Sequence, residues 1–283
     1  MAESTLLASL FRDAGLEYGP VGDGTIFVTF KGNQSERIHV QAGVAKGRIA
    51  YFSVMLPPMI TGWEKIVMRN LLRVSGSALY TKAMVTEQGD FVLVTELPTK
   101  FLTAGITRGL VRALAKIGDV RSEQLHDWEN WRTRLMDAVR LLGGEIRVDV
   151  ENANHTIPIL AKEAGWDCAM EPDQSWSLRW PLGPKGHPRF HAALLIRTFH
   201  VGISCSAPIG GNACPPLIAN HARRLLELNR EFAVVKIAIP EHDSEISVRY
   251  DVPSVMPDLL ATVDSEMGVL FVTLMRTMQG GGS

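Results

Sequence analysis

The stretches LLRVSGSALYTKAMVTEQGDFVLVTELP, residues 71–98, and LLELNREFAVVKIAIPEHDSEISVRYDVP, residues 225–253, carry one pattern twice. Leu71-Leu72 corresponds to Leu225-Leu226 and Lys82 to Lys236. After a one-residue slip, Glu96-Leu97-Pro98 corresponds to Asp251-Val252-Pro253. Each stretch reads as the end of an amphipathic helix followed by a hairpin. The first hairpin runs through Ala83-Met84-Val85 and Phe91-Val92-Leu93-Val94 around Gln88-Gly89-Asp90. The second runs from Val234 to Ile239 and from Glu245 to Tyr250 around His242-Asp243. In its last strand Ile246, Val248 and Tyr250 alternate with Glu245, Ser247 and Arg249, the pattern of a sheet with one wet face.

Working outward, a helix precedes each hairpin. Thr61-Gly62-Trp63-Glu64 has the spacing of a capping box, with Ile60, Trp63, Ile66, Val67, Leu71 and Val74 at helical intervals. In the second copy Pro215-Pro216 suits a first helical turn, and Leu217, Ile218, Ala222, Leu225 and Leu228 form the stripe. Further upstream, Leu6–Leu16 and Ile157–Trp166 read as short helices closed by Gly15 and Gly165, where glycine tolerates a left-handed backbone. Strands follow at Thr25–Phe30 and Trp176–Trp180, then at Arg37–Val40 and Arg189–Ala192, each entering a β-rich segment through Ile49–Val54 or His200–Cys205. A turn is expected at Ala45-Lys46-Gly47, and its counterpart near Arg197-Thr198. Closing helices span about Ala104–Ile117 and Met256–Met278. The expected fold is therefore α+β: two repeats of α-β-β-β-α-β-β-α with antiparallel sheets, at residues 1–120 and 151–279. A helical linker joins them at 121–150, carried by Leu125, Trp128, Trp131, Leu135, Val139 and Leu142 and ended by Gly143-Gly144. A short strand is expected over Glu145–Val150 and a flexible tail at 280–283.

Composition sets limits on function. The 283 residues are 46% hydrophobic and 21% charged, ordinary globular usage with room for two cores. With 29 basic against 30 acidic side chains and no basic block, no nucleic-acid partner is expected. No apolar run is long enough to span a membrane, and Met1–Thr5 lacks a basic leader, so a cytoplasmic protein is expected. The cysteines Cys168, Cys205 and Cys214 are odd in number and not spaced C-x-x-C, which suits a reducing compartment.

The element order, the Leu-Leu-x-Leu-Asn helix end at Leu225–Asn229 and the Lys236–Pro253 hairpin resemble the type III secretion chaperone-like fold and the related YbjN-like bacterial family, in two tandem copies. The resemblance is one of pattern over both halves, and no catalytic motif travels with it. It implies a non-enzymatic α+β protein. The secretion chaperones work as homodimers that hold an extended partner segment along apolar grooves and sheet edges, and a tandem copy would make that dimer within one chain. This chain departs from them in its double length, its near-neutral charge and the extra segment 122–142.

Candidate chemistry is sparse. His187 and His191 at i, i+4 would suit zinc on a helix, but Pro188 and the apolar run beyond argue for a strand, which separates them by about 13 Å. His39 and His191 are equivalent in the repeat and read as solvent-facing strand residues, a paired ligand site being the alternative. Cys205 and Cys214 read as buried thiols, and the Ala207–Ala213 loop lacks phosphate-binding spacing. Hydrolase motifs are missing, and Glu163, Asp167, Asp251 and Asp258 read as solvated or capping acids. No enzymatic activity, metal or cofactor is expected. Eleven methionines supply adaptable apolar surface, above all in Met55-Leu56-Pro57-Pro58-Met59-Ile60, where two prolines oppose regular structure. The expected function is an adaptor or chaperone holding an extended or amphipathic segment of a protein partner, with Met55, Met59, Trp63, Trp180 and Leu217 as contact residues. The protein would be a monomer with an internal pseudo-dimer or a homo-oligomer. The alternatives are a structural assembly subunit and a small-ligand or metal sensor.

Overall fold

A computed structural model describes residues 2–20, 24–45, 48–179, 191–198, 200–206, 214–241 and 245–279. The first half runs α1 (Ala2–Asp13), β1 (Gly19–Pro20), β2 (Ile26–Phe30), β3 (Ile38–Ala45), β4 (Ile49–Met55), α2 (Glu64–Ser77), β5 (Thr81–Val85), β6 (Phe91–Pro98) and α3 (Ala104–Gly118). Next comes α4 (Trp128–Glu145). The second half runs α5 (Val150–Glu163), β7 (Asp167–Met170), β8 (Trp176–Arg179), β9 (His191–Arg197), β10 (His200–Ser206), α6 (Cys214–Glu231), β11 (Val235–Ala238), β12 (Ser247–Val252), α7 (Leu259–Thr262) and α8 (Gly268–Gln279). The strands make two six-stranded antiparallel sheets, ordered β1-β2-β3-β4-β6-β5 and β7-β8-β9-β10-β12-β11. The two orders are the same, strand for strand.

Alternation sets one face of the first sheet against helices. Val28, Val40, Ala42, Phe52, Val54 and Leu93 are buried, with α1 and α3 packed over them, and Phe11 of α1 stacks on Phe52. The opposite face over β2–β4 stays open, with Thr29, His39 and Gln41 exposed. Helix caps follow the local chemistry: Thr103 accepts from the Ile106 N–H, Asp127 from Glu129 and Asn130, and Asp149 from Asn152. Against α3 lies α4, with Trp131 wholly buried and its indole N–H given to the Leu125 carbonyl. Among the described residues no helix is long and apolar enough to cross a membrane.

Several expectations are corrected. Each sheet gains a short strand, β1 or β7, so four strands rather than three separate the first two helices of each half. No strand forms over 145–150. Gly143-Gly144 does not end the linker helix, which runs on to Glu145 because that carboxylate pairs with Arg108 of α3 at 2.7 Å, and Asp149 then opens α5, well ahead of Ile157. The Thr61–Glu64 box is incomplete: α2 begins at Glu64, whose carboxylate reaches back to the Gly62 N–H, while Trp63 makes no side-chain cap. The closing helix of the second half is broken by a π turn at Val263–Met267. The supposedly wet face of the last strand is covered, with Ser247 and Asp251 buried. Arg197 pairs with His200, so the second-copy turn falls where expected. The turn residues 46–47 and 242–243, the loop 207–213 and the tail 280–283 lie outside the described residues.

Replacing Trp131 with alanine should cost about 3–5 kcal/mol, the range for emptying a buried aromatic site. Urea unfolding of the variant measures it, with the midpoint expected to fall and the slope to stay unchanged.

Candidate functional site

The densest polar chemistry lies where the halves meet. Helices α2 and α6 pack on each other, α2 also touches β11 and α6 touches β5, and the Ile239 N–H donates to the Leu72 carbonyl. Gly76 permits this approach, since a Cβ there would stand 2.0 Å from the Ile239 carbonyl oxygen. Into this junction each half sends one lysine. Lys82 pairs with Glu96 of its own half at 2.6 Å and donates across to the carbonyls of Phe232 and Val235. Lys236 pairs with Asp251 of its own half at 2.7 Å and donates across to the carbonyls of Ala78 at 2.7 Å and Thr81 at 3.2 Å. The acids are shared in the same crossed sense: the Tyr80 N–H donates to Asp251 and the Val234 N–H to Glu96. Tyr80 and Val234 both hold positive φ, 61° and 56°, an outlying conformation for a bulky or β-branched residue. Ser75 and Asn229 complete the pattern, accepting from the Ala83 and Ile237 N–H groups, and Asn229 also donates to the Ala83 carbonyl across the junction.

These contacts follow the correspondence read from sequence, including the slip that matches Glu96 with Asp251. Their burial was not legible. Asp251, read as a solvated or capping acid, is 4% exposed. Burial alone would raise its pKa, but Lys236 and Arg249 outweigh that and hold it far below the usual carboxylate range. Burial drives both lysines down, Lys236 to about 8, against the opposing pull of Asp251 and Glu96. Buried lysines with lowered pKa often mark catalysis, but the void among Tyr80, Lys82, Glu96, Val234, Lys236 and Asp251 is only about 10 Å³. That is room for one water at most. The cluster is a joint, not a substrate site.

The expected contact residues are scattered. Met55 ends β4 at 57% exposure, on the open sheet face. Met59 is half-buried against the core. Trp63 is 40% exposed and stacks on His126 with ring centroids 4.2 Å apart. Leu217 falls in the first turn of α6, and Trp180 and His187 lie outside the described residues. His39 is exposed, bonded to the Thr29 hydroxyl at 3.0 Å, and His191 occupies the matching place on β9 in the other sheet. Cys205 is buried, and burial pushes its thiol up to about 12. Among the described residues no three His, Cys, Asp or Glu side chains gather as for a metal ion.

The surface missed in the sequence is on α4. A groove of about 430 Å³ runs along Trp128, Leu135, Met136 and Val139, with Met136 53% exposed and Arg132 and Arg140 on its rim. Ser77 of α2 and Glu241 of the second half close its other side. Near the same end of α4, His126 carries Trp63, and the Arg73 guanidinium lies 5.3 Å over the Trp128 ring. The helical spacing of Trp128, Leu135 and Val139 is visible in the sequence, where it marks the linker helix but not an open groove. No protein family and no curated protein matches the chain.

Lys236→Met should cost about 3–5 kcal/mol by leaving Asp251 buried with only Arg249 as a counter-ion, and adding Asp251→Leu should restore part of it, the Tyr80 N–H then losing its acceptor. Urea unfolding of both variants tests this. Because folded Lys236 holds its proton less tightly than an unfolded lysine, the unfolded state binds more protons from about pH 8 to about 10.4. This group's contribution to stability therefore rises with pH across that window, and Lys236→Met should abolish the rise.

Proposed function

We propose that the chain is a non-enzymatic adaptor or chaperone, built as a tandem of one secretion-chaperone-like unit paired within a single chain, which holds an amphipathic segment of a protein partner in the α4 groove. The observation that carries this reading is the apolar α4 groove itself, in which exposed Met136 and half-buried Trp128 stand beside Arg132 and Arg140. Aromatic and methionine side chains ringed by arginine are the composition of an interface centre. The junction supports the same reading from the other side: it fills the surface through which single units would pair, so the α4 groove is left for another molecule. The resemblance to proteins that hold partner segments agrees with it. An acidic flank on the segment would compete with Glu241 and Asp137 for the rim arginines.

The test is native affinity capture from host lysate, scored by mass spectrometry, with a Trp63→Ser/Met136→Asp variant shown by circular dichroism to be folded. One partner should be recovered by the wild type and its affinity should fall roughly thirtyfold or more in the variant, as for loss of an interface anchor. A folded variant that captures the partner unchanged rules the groove out. Loss in Met55→Asp alone would move the contact to the open sheet face.

A further inference from the structure

A second cavity, of about 450 Å³, lies between the halves with a lining distinct from that of the α4 groove. Its charges are sorted by wall. The first half contributes only cations, Arg48 and Lys100, and the second half only acids, Asp258 and Glu266. Phe101, Met256 and Leu259 supply apolar surface between them, and the Tyr250 side chain adds a largely buried hydroxyl. Lys100 and Asp258 neutralise each other at 2.5 Å, whereas Arg48 and Glu266 make no ion pair among the described residues. Among the described residues, then, one cation outside any ion pair stands on one wall and one such anion on the other, the latter within electrostatic reach of buried Lys82. The volume falls within the range of small-molecule sites.

The helix carrying Glu266 has been altered at this place. Its regular turns α7 and α8 are interrupted by the π turn Val263–Met267, which contains Glu266, while the corresponding helix of the first half, α3, is regular throughout. A π turn sacrifices regular helix bonding and recurs at functional sites. Here it sits on the cavity wall.

We propose that this cleft binds a small dipolar molecule with an apolar body, an apolar α-amino acid or a dipeptide, with its carboxylate on the Arg48 and Lys100 wall and its ammonium on the Asp258 and Glu266 wall. The site is separate from partner binding. The exposed Lys100–Asp258 pair spans the cleft as a weak latch: an ion pair so well solvated opens at little cost, and each member then meets the ligand charge of opposite sign.

The experiment is titration calorimetry and thermal unfolding of the full chain with L-leucine and L-leucyl-L-leucine, each also as the N-acetyl and the C-amide form. The expected result is saturable binding and a rise in Tm for at least one free form, and for neither blocked form. Arg48→Gln and Glu266→Gln should each weaken binding roughly tenfold to hundredfold, the effect of removing one charge-assisted hydrogen bond, while the unliganded Tm of Arg48→Gln stays at the wild-type value. No binding by any probe overturns the proposal. Equal binding of the blocked forms overturns the dipolar reading, and unchanged binding in both variants overturns the location. None of these outcomes depends on capture at the α4 groove.

Discussion

Two ammonium groups removed from water must find acceptors for all their protons, and in this protein each completes its set by crossing to the other half. Lys82 and Lys236 keep their counter-ions at home, in Glu96 and Asp251, and spend their remaining protons on carbonyls of the opposite copy. A buried ion pair contributes little net stability beside an apolar replacement, yet a broken one is costly. The cluster therefore acts less as glue than as a register mark, penalising any packing of the halves that leaves a lysine or carboxylate unanswered. The positive φ of Tyr80 and Val234 belongs to the same device, because it aims each backbone N–H at the opposite acid. Much of the rest follows: α2 against α6, the glycine at 76, and the covered face of β12.

Joining the copies in one chain releases them from symmetry. Within the junction Asp251 is one methylene shorter than Glu96, and Arg249, where the first half has Val94, lies beside it and donates to the Gly76 carbonyl. Outside it the divergence is larger. The helix α4 occurs once, between the halves, and lays an apolar groove along one flank. The π turn occurs once, in the second half, and lines a cleft whose two walls differ in sign. A homodimer would have to carry each feature twice. A fused pair can assign a different face to each task, and the two surfaces proposed for binding are the two places where the copies no longer match.

The amino-acid sequence by itself determined the α+β class, most of the helices and strands and the pairing of equivalents, though not β1, β7 or the end of α4, because the longer elements depend on local periodicity and on residue types at fixed spacing. Lys82 with Lys236, and Glu96 with Asp251 after a one-residue slip, were legible as correspondences, and the alternation of Val40, Ala42, Phe52 and Val54 marks the core face of the first sheet. What sequence could not supply is which polar residues leave water. Asp251 looks like a surface acid and Arg249 like the wet side of a strand until a second copy is laid over them. The stripe of Trp128, Leu135, Met136 and Val139 shows an apolar face without showing that Trp131 and Ala138 are the residues buried almost completely while Met136 stays exposed. Burial, and with it the lowered pKa of Lys236 and Asp251 and the two open clefts, is a property of what packs against a side chain from a distant part of the chain, and only the tertiary structure decided it.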